Sequence, residues 1–126
     1  MTRINVGVKP AELNSKHLIA EHREIKRIPN LIKKGKYSLD GMPEQFKLGT
    51  GHVKFFYNKL RYLHGRYTSL YNECLNRGFN VTNYDECFDD LPTELYNDYQ
   101  PTAIDRELIL ERIKERLTKQ DRTTTN

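Results

Sequence analysis

Three stretches of this chain repeat apolar residues at a helical period, and no stretch shows the alternation of a half-buried strand. They cover residues 14–31, 52–77 and 101–119. A period near 3.6 residues places apolar side chains on one side of a helix, so the pattern predicts amphipathic helices. At 126 residues the chain is long enough for one modest core and too short for two. We therefore predict one all-α domain of three main helices over residues 1–126, with 121–126 as a mobile tail.

The first predicted helix begins at Asn14 or Ser15, because both residue types cap helix N-termini. Pro29 is expected to kink or end it. Its apolar side is predicted to hold Leu18, Ile19, Ile25, Ile28 and Leu31.

The polar side of this helix concentrates titratable groups in one stripe. His17, Glu21 and Glu24 recur at i, i+4 and i+7, which places an imidazole and two carboxylates together. Arg23 and Arg27 lie one turn apart beside them. A solvated face with ordinary Glu–Arg pairs is the commoner outcome for such a run, and the pattern alone leaves both interpretations open.

The second and third stretches give less specific signals. The second is expected to be interrupted at Gly65, by a bend or by close packing, and to end at Gly78. Its predicted inward side holds Val53, Phe56, Leu60, Leu63, Leu70, Cys74 and Leu75. The third is expected to open at Pro101 or Thr102, with an inward side of Ile104, Leu108, Ile109, Ile113 and Leu117. One face of the third helix carries three basic residues, Arg112, Arg116 and Lys119. Pairing with glutamates of the same helix explains these charges as well as contact with an anionic partner does.

The segments between the helices are predicted to be irregular. Residues 5–10 should form an extended lead-in, and residues 37–47 a loop. Gly49 and Gly51 permit a tight turn before the second helix, although this short motif is a weak signal for phosphate binding. Residues 85–90 form an acidic stretch that should be a loop and that would repel phosphate, so it should lie on the side away from any phosphate-bearing partner.

Charge is distributed unevenly along the chain. Residues 1–66 carry a net charge of +9 and residues 67–126 a net charge of −5, which together give +4. The basic half would attract a polyanion such as nucleic acid, with release of counterions on binding. A merely solvated basic surface explains the charge equally well.

Composition excludes several other classes of protein. No apolar run approaches the roughly 20 residues of a membrane span, and no signal peptide is recognisable. Cys74 and Cys87 lack further cysteine or histidine partners at ligand spacing, so we predict reduced thiols and no metal site. We expect a soluble cytoplasmic monomer without a cofactor and without a membrane partner.

The amino terminus offers an unusual nucleophile. Because Thr2 is small, Met1 is expected to be removed, which exposes the α-amine of Thr2. An α-amine has a pKa of roughly 7.7–8.0 against about 10.4 for lysine, so a useful fraction is neutral near pH 7.

Five motifs together resemble the phage-type pyrimidine-dimer DNA glycosylase family. They span most of the chain and keep their order: Met-Thr-Arg-Ile-Asn5, His17-Leu-x-Ala-Glu-x-Arg-Glu24, Leu48-Gly-x-Gly-His-Val-x-Phe-Phe-Tyr-x-Lys59, Glu73-Cys-Leu-x-Arg-Gly-Phe-Asn80, and Asp98-Tyr99 with Pro101. The resemblance implies a glycosylase and abasic-site lyase that acts on cyclobutane pyrimidine dimers in duplex DNA. For a phage-encoded enzyme it also implies the host-cell cytoplasm.

The resemblance implies a role for each matching residue. The Thr2 amine would form an imine to the damaged sugar, and Glu24, kept ionised by nearby arginines, would be the catalytic carboxylate. The chemistry needs no metal. The implied DNA contacts are Arg3, His17, Arg23, Arg27, Arg112 and Arg116.

Two departures from the family pattern keep alternatives open. The chain ends in Asp121-Arg-Thr-Thr-Thr-Asn126, without the family's aromatic segment, and it has one extra residue around Lys9-Pro10. The same chemistry on another damaged base, or lyase action alone, is therefore an alternative. A non-catalytic helical DNA-binding protein is a more distant one.

Overall fold

Five α-helices build the chain, and their order follows the three predicted stretches. The computed structural model describes residues 2–124, with side chains described as far as Leu117. The helices are α1 (Ser15–Glu24), α2 (Arg27–Lys33), α3 (His52–Phe55), α4 (Leu60–Asn76) and α5 (Ala103–Thr124). Short 3-10 turns cover Pro10–Glu12, Asp85–Phe88 and Thr93–Leu95. Residues 2–124 contain no strand, so the all-α class is confirmed.

The first predicted stretch is divided into α1 and α2 at Ile25 and Lys26. Asn14 caps α1 as predicted, because its side chain accepts the His17 N–H at 2.8 Å. Pro29 lies inside the first turn of α2 and has no N–H for the Ile25 carbonyl. A proline disturbs the helix one turn before itself, so the break occurs at Ile25 rather than at Pro29.

The second stretch is also divided, but not where the glycine pattern indicated. The predicted interruption at Gly65 is wrong, because Gly65 lies within α4 and the break covers residues 56–59. Lys59 leaves the helical conformation to form an antiparallel bridge with Tyr96. The Tyr62 N–H adds a bond to the Asn97 carbonyl at 3.3 Å. Pairing with a distant segment, rather than local propensity, therefore separates α3 from α4.

The core lies around α4 and packs against α1. Its members on α4 are Leu60, Leu63, Tyr67, Leu70 and Cys74, each at most 1% exposed. Leu75 was predicted on this side and is instead exposed. The helix ends as predicted at Gly78, whose φ of 82° favours glycine, with the Phe79 N–H bonded to the Cys74 carbonyl at 2.9 Å.

The lead-in, a name used from here on for all the residues 2–13 before α1, is part of the core and not a surface segment. Ile4, Val6 and Val8 are fully buried, while Gly7 turns at a φ of 80° with Arg106 close against it. The three apolar residues form too short a run to predict a strand. The predicted extended conformation of residues 5–10 is wrong, because the Val8 N–H bonds to the Asn5 carbonyl at 3.2 Å and closes a turn.

Helix α5 turns a different side inward from the one predicted. Ile109 is buried and Ile113 partly buried, but Ile104, Leu108 and Leu117 are exposed, Ile104 to 68%. Thr102 caps the helix, accepting the Asp105 N–H at 3.1 Å while the buried Asp105 carboxylate accepts the Thr102 N–H at 3.0 Å. Its inward side therefore includes polar groups, which the apolar period did not reveal.

The remaining segments agree with their predictions in part. Residues 37–47 contain no helix, as expected. The acidic stretch 85–90 is not a plain loop, since it forms a 3-10 turn that buries Phe88. The predicted tail 121–126 lies outside the residues whose side chains are described, as does Lys119. No helix within residues 2–124 has the length and apolar character needed to cross a membrane.

Candidate active site

A small pocket lies between the lead-in, α1 and α5. It has a volume of about 40 Å³ and is lined by Arg3, Asn5, His17, Ala20, Glu21, Glu24, Arg112, Ile113 and Arg116. The space accommodates little more than a water molecule. A substrate as large as DNA must therefore approach its mouth, where charged groups of both signs converge.

Glu24 connects α1 to the amino-terminal segment. The residue is 9% exposed, and its Oε1 accepts the backbone N–H of Arg3 at 3.1 Å. Its Oε2 lies 3.9 Å from the Arg23 guanidinium. The last residue of α1 thus presents a carboxylate to the beginning of the chain.

This bond brings Thr2 close to Glu24. The nitrogen of Thr2 is three covalent bonds from the Arg3 nitrogen, so it lies no more than about 7 Å from the Glu24 carboxylate oxygen. Thr2 is partly buried and does not line the pocket itself.

Three side chains hold the lead-in at successive residues. Besides the bond from Arg3 to Glu24, the Ile4 N–H donates to His52 Nε2 at 3.0 Å. The Asn5 side-chain amide donates to Glu21 Oε1 at 2.7 Å. Burial of Ile4 and of the alternate residues after it completes the attachment. Residues 3–5 are therefore fixed against both α1 and α3.

A buried ion pair supports the pocket from below. The Arg66 guanidinium donates to both oxygens of Glu21, at 2.7 and 2.8 Å, and both residues are at most 9% exposed. Asn5 Oδ1 in turn accepts from Arg112 at 2.9 Å. A continuous chain of hydrogen bonds therefore runs from α4 through α1 and the lead-in to α5.

The pocket also contains a partly desolvated imidazole and three arginines, Arg3, Arg112 and Arg116. Burial, reinforced by Lys16, Arg112 and Arg3, lowers the pKa of His17, whose Nδ1 is buried without a hydrogen-bond partner. Burial likewise lowers the pKa of Arg112, and the Arg3 cation adds to the effect. The Arg112 pKa starts so high that the group stays charged at neutral pH. Neutral imidazole and guanidinium cations suit binding and proton handling at an anionic substrate.

Comparison with known proteins agrees with this geometry. Residues 1–86 match the family model described as pyrimidine dimer DNA glycosylase. The chain belongs to the pyrimidine dimer DNA glycosylase family. Membership identifies a DNA-repair glycosylase whose substrate is DNA. The matched range includes the lead-in and α1 to α4, whereas α5 follows it.

The pocket gathers most of the residues singled out from the sequence. Glu24, Arg3, His17, Arg112 and Arg116 line it, although the last two lie outside the matched range.

Two of the predicted DNA contacts lie outside the pocket. Arg23 and Arg27 are exposed, on α1 and α2 respectively. Their side chains face solvent, where a bound phosphate backbone is accessible. Their role in DNA binding stays a prediction.

The pocket also depends on residues to which sequence reasoning gave no role. Asn5 and His52 stand in the quoted motifs and Arg66 in none, and the long-range contacts of all three show how they support the pocket. Glu21 was placed on the polar stripe beside Glu24, but it is buried and bonded to Arg66 and Asn5. For the ion pair with Glu21, the one signal in the sequence was the position of Arg66 on the apolar side of α4, since a buried arginine requires a carboxylate partner.

Proposed function

We propose that the protein cleaves a glycosidic bond of cyclobutane pyrimidine dimers in duplex DNA and then cleaves the strand at the abasic sugar that results. In this proposal the nucleophile is the α-amine of Thr2, freed by removal of Met1, and Glu24 is its carboxylate partner. The hydrogen bond from the Arg3 N–H to Glu24 carries the proposal. It holds the residue next to the nucleophile against a buried carboxylate, in a chain of the glycosylase family.

The first step is attack of the neutral amine on C1′ of the damaged nucleotide. The amine lone pair forms a C–N bond, while the glycosidic bond breaks and its electron pair leaves with the base. Glu24 accepts the proton that the amine loses. Its carboxylate also stabilises the positive charge that develops on the sugar in a poorly hydrated site.

The second step cleaves the DNA strand. Breaking of the C1′–O4′ bond opens the sugar ring, gives a protonated imine and leaves its electron pair on O4′, which takes a proton. The imine acidifies the C2′ proton, and its removal expels the 3′ phosphate together with the electron pair of the C3′–O bond. Water then hydrolyses the imine and restores the amine. Every step is a proton or group transfer, so no oxidant or reductant is consumed.

The basic groups of the site serve to bind DNA. Arg3, Arg23 and Arg27 contact phosphates around the lesion, which fixes the position of the protein on the duplex. The pocket mouth holds Arg112, Arg116 and His17, which bind the DNA there. Extrusion of a base is easier where damage has weakened pairing, so the lesion itself lowers the cost of opening the duplex.

Borohydride trapping tests the proposed imine, because borohydride reduces it to a stable amine. We expect a covalent protein–DNA adduct on abasic and on ultraviolet-irradiated duplexes. The matched control has one glycine inserted between Met1 and Thr2, which displaces the amine, and it should give no adduct. Absence of an adduct with the natural chain on both duplexes would contradict the proposal.

A second candidate is the same chemistry on another damaged base, or abasic-site cleavage alone. It is motivated by the range of the family match, residues 1–86, which leaves α5 and its pocket arginines unmatched. Incision of matched duplexes that carry a dimer, an abasic site or a modified base separates the two candidates. Preferential incision at the dimer supports the first, whereas incision only at the abasic site supports the second.

A further inference from the structure

His52 lies in the core next to the lead-in and is hydrogen-bonded at both ring nitrogens. Nε2 is 3.0 Å from the Ile4 nitrogen, and Nδ1 is 2.9 Å from the Lys47 carbonyl oxygen. The side chain is buried, with the rings of Phe46 and Phe56 packed edge-on at centroid distances of 5.3 and 5.5 Å. The imidazole therefore has one fixed orientation.

The two partners determine which nitrogen carries the proton. A backbone N–H only donates, so Nε2 must be the bare, accepting nitrogen toward Ile4. A carbonyl only accepts, so Nδ1 must carry the hydrogen toward Lys47. A proton on Nε2 would set two donors against each other and release the backbone of Ile4.

We propose that His52 is a positioning residue for the amino-terminal nucleophile, acting through its neutral Nδ1–H tautomer to hold Ile4, two residues after Thr2. The inference rests on the proposed function, in which the Thr2 amine reacts. The bond to Ile4 and the bond from Arg3 to Glu24 lie at adjacent residues, so together they fix the direction in which the chain leaves the core toward Thr2.

The groups around His52 keep its ring neutral, so that Nε2 stays unprotonated and accepts the Ile4 N–H. Burial lowers its pKa, while the Lys47 carbonyl opposes this effect. Arg112 from α5 and Arg3 from the lead-in lower the pKa further, and Glu21 from α1 raises it. Because the pKa remains below its ordinary value, the ring is neutral at the pH where an α-amine becomes nucleophilic.

The tautomer is measurable in the natural protein without any substitution. We expect nitrogen-15 spectra of the full chain at pH 7.5 to show a protonated Nδ1 and an unprotonated Nε2 for His52. The opposite tautomer, or a doubly protonated ring, would overturn the proposal. This measurement does not depend on catalysis.

Two variants separate the two hydrogen bonds. In His52→Gln the amide oxygen reaches the position of Nε2 and still accepts the Ile4 N–H, whereas in His52→Asn the amide reaches only the position of Nδ1 and keeps the Lys47 bond. Single-turnover borohydride trapping on abasic duplex should be within about threefold of the natural rate for the glutamine variant. It should fall by about tenfold to a hundredfold for the asparagine variant, because a small misplacement of a reacting group is costly.

DNA affinity is the control measurement, since a positioning role predicts that both variants bind the duplex as tightly as the natural protein. Equal trapping rates in the two variants, or a loss of affinity that accounts for the slower rate, would overturn the role of His52. If the natural chain itself gives no adduct, the proposed function fails. The two failures are therefore distinguishable.

Discussion

At the scale of single residues, Glu24 combines two contacts that matter for its chemistry. One carboxylate oxygen accepts the Arg3 N–H and the other faces the Arg23 guanidinium. The group is largely withdrawn from water, where a fixed negative charge stabilises a cation more strongly than it would in solvent. Its position at the end of α1 is therefore suited to a cationic sugar.

Replacing Glu24 by glutamine tests this role. The amide oxygen can still accept the Arg3 N–H, so the lead-in keeps its position, but the negative charge is lost. We expect glycosidic-bond cleavage in dimer-containing duplex to fall by about a hundredfold or more while DNA binding changes little. The measurement is single-turnover cleavage, detected as strand breakage after alkali treatment because the cyclobutane ring keeps the freed pyrimidine joined to its neighbour. Glu73→Gln on α4 is the matched control. Full activity of the Glu24 variant would remove this carboxylate from the mechanism.

How far the site could be predicted depends on how local each signal is. Thr2, Arg3 and Glu24 belong to short motifs, so their importance is visible in the sequence. Asn5 belongs to the same motif as Thr2, but its role, like that of Arg66, lies in contacts with residues more than ten positions away. No periodicity reports such contacts, which is why the chain of hydrogen bonds beneath the pocket was not predicted.

At the scale of elements, the lead-in is held by the ion pair between α1 and α4. Removing one partner of a buried pair leaves an uncompensated charge, which costs about 3–5 kcal/mol. Arg66 also donates to the Val8 carbonyl, so its loss affects the lead-in directly.

We therefore expect Arg66→Met to lower the free energy of unfolding by about 3–5 kcal/mol in urea titrations. The same substitution at Arg106, whose pair with Glu12 is exposed, should give a clearly smaller loss. Similar losses in the two variants would show that the buried pair does not stabilise the fold as described.

Helix α5 shows why the apolar pattern predicted the wrong inward side. The apolar pattern favoured Ile104, Leu108 and Leu117 as the inward side, yet the inward side carries Asp105 and Arg112. A helix that supplies charges to a pocket places polar residues inward, which contradicts the usual hydrophobic pattern. Helix α1 likewise buries Glu21, His22 and Glu24 beside Leu18. By contrast, α4 packs mainly through apolar residues, and its period predicted most of its buried positions.

At the scale of the whole molecule, three buried or partly buried histidines link stability to pH. Burial is the main cause that lowers the pKa of His17, His22 and His52. The unfolded chain, with histidine pKa values near about 6.5, then binds more protons than the folded chain in mild acid. The contribution of these histidines to the free energy of unfolding is complete above about pH 6.5, and it is lost as the pH falls toward the lower folded-state pKa values.

We expect the urea midpoint to be lower at pH 5 than at pH 7.5. His22 packs among the rings of Tyr67, Tyr71 and Tyr84. The substitution His22→Phe removes one titrating ring from that cluster, so the urea midpoint should decrease less between pH 7.5 and pH 5. A midpoint that rises toward pH 5 in the natural protein would contradict the assignment of neutral histidines.

The charge asymmetry of the chain predicts how DNA binding depends on salt. The basic half, with its net charge of +9, contains the lead-in, α1, α2 and α3. We expect affinity for duplex DNA to fall steeply between about 50 and about 200 mM salt, because phosphate contacts release counterions. Replacing Arg23 and Arg27 together by glutamine should reduce the slope by about two. An unchanged slope would place these arginines outside the DNA contact.

The central claim is that the reacting atom is the α-amine of Thr2. The most direct measurement is mass spectrometry of the peptides from a borohydride-trapped adduct on abasic duplex. We predict that the sugar remnant is attached to the nitrogen of Thr2, on a chain from which Met1 has been removed. Attachment to a lysine side chain, or an efficient adduct on a chain that retains Met1, would contradict the account.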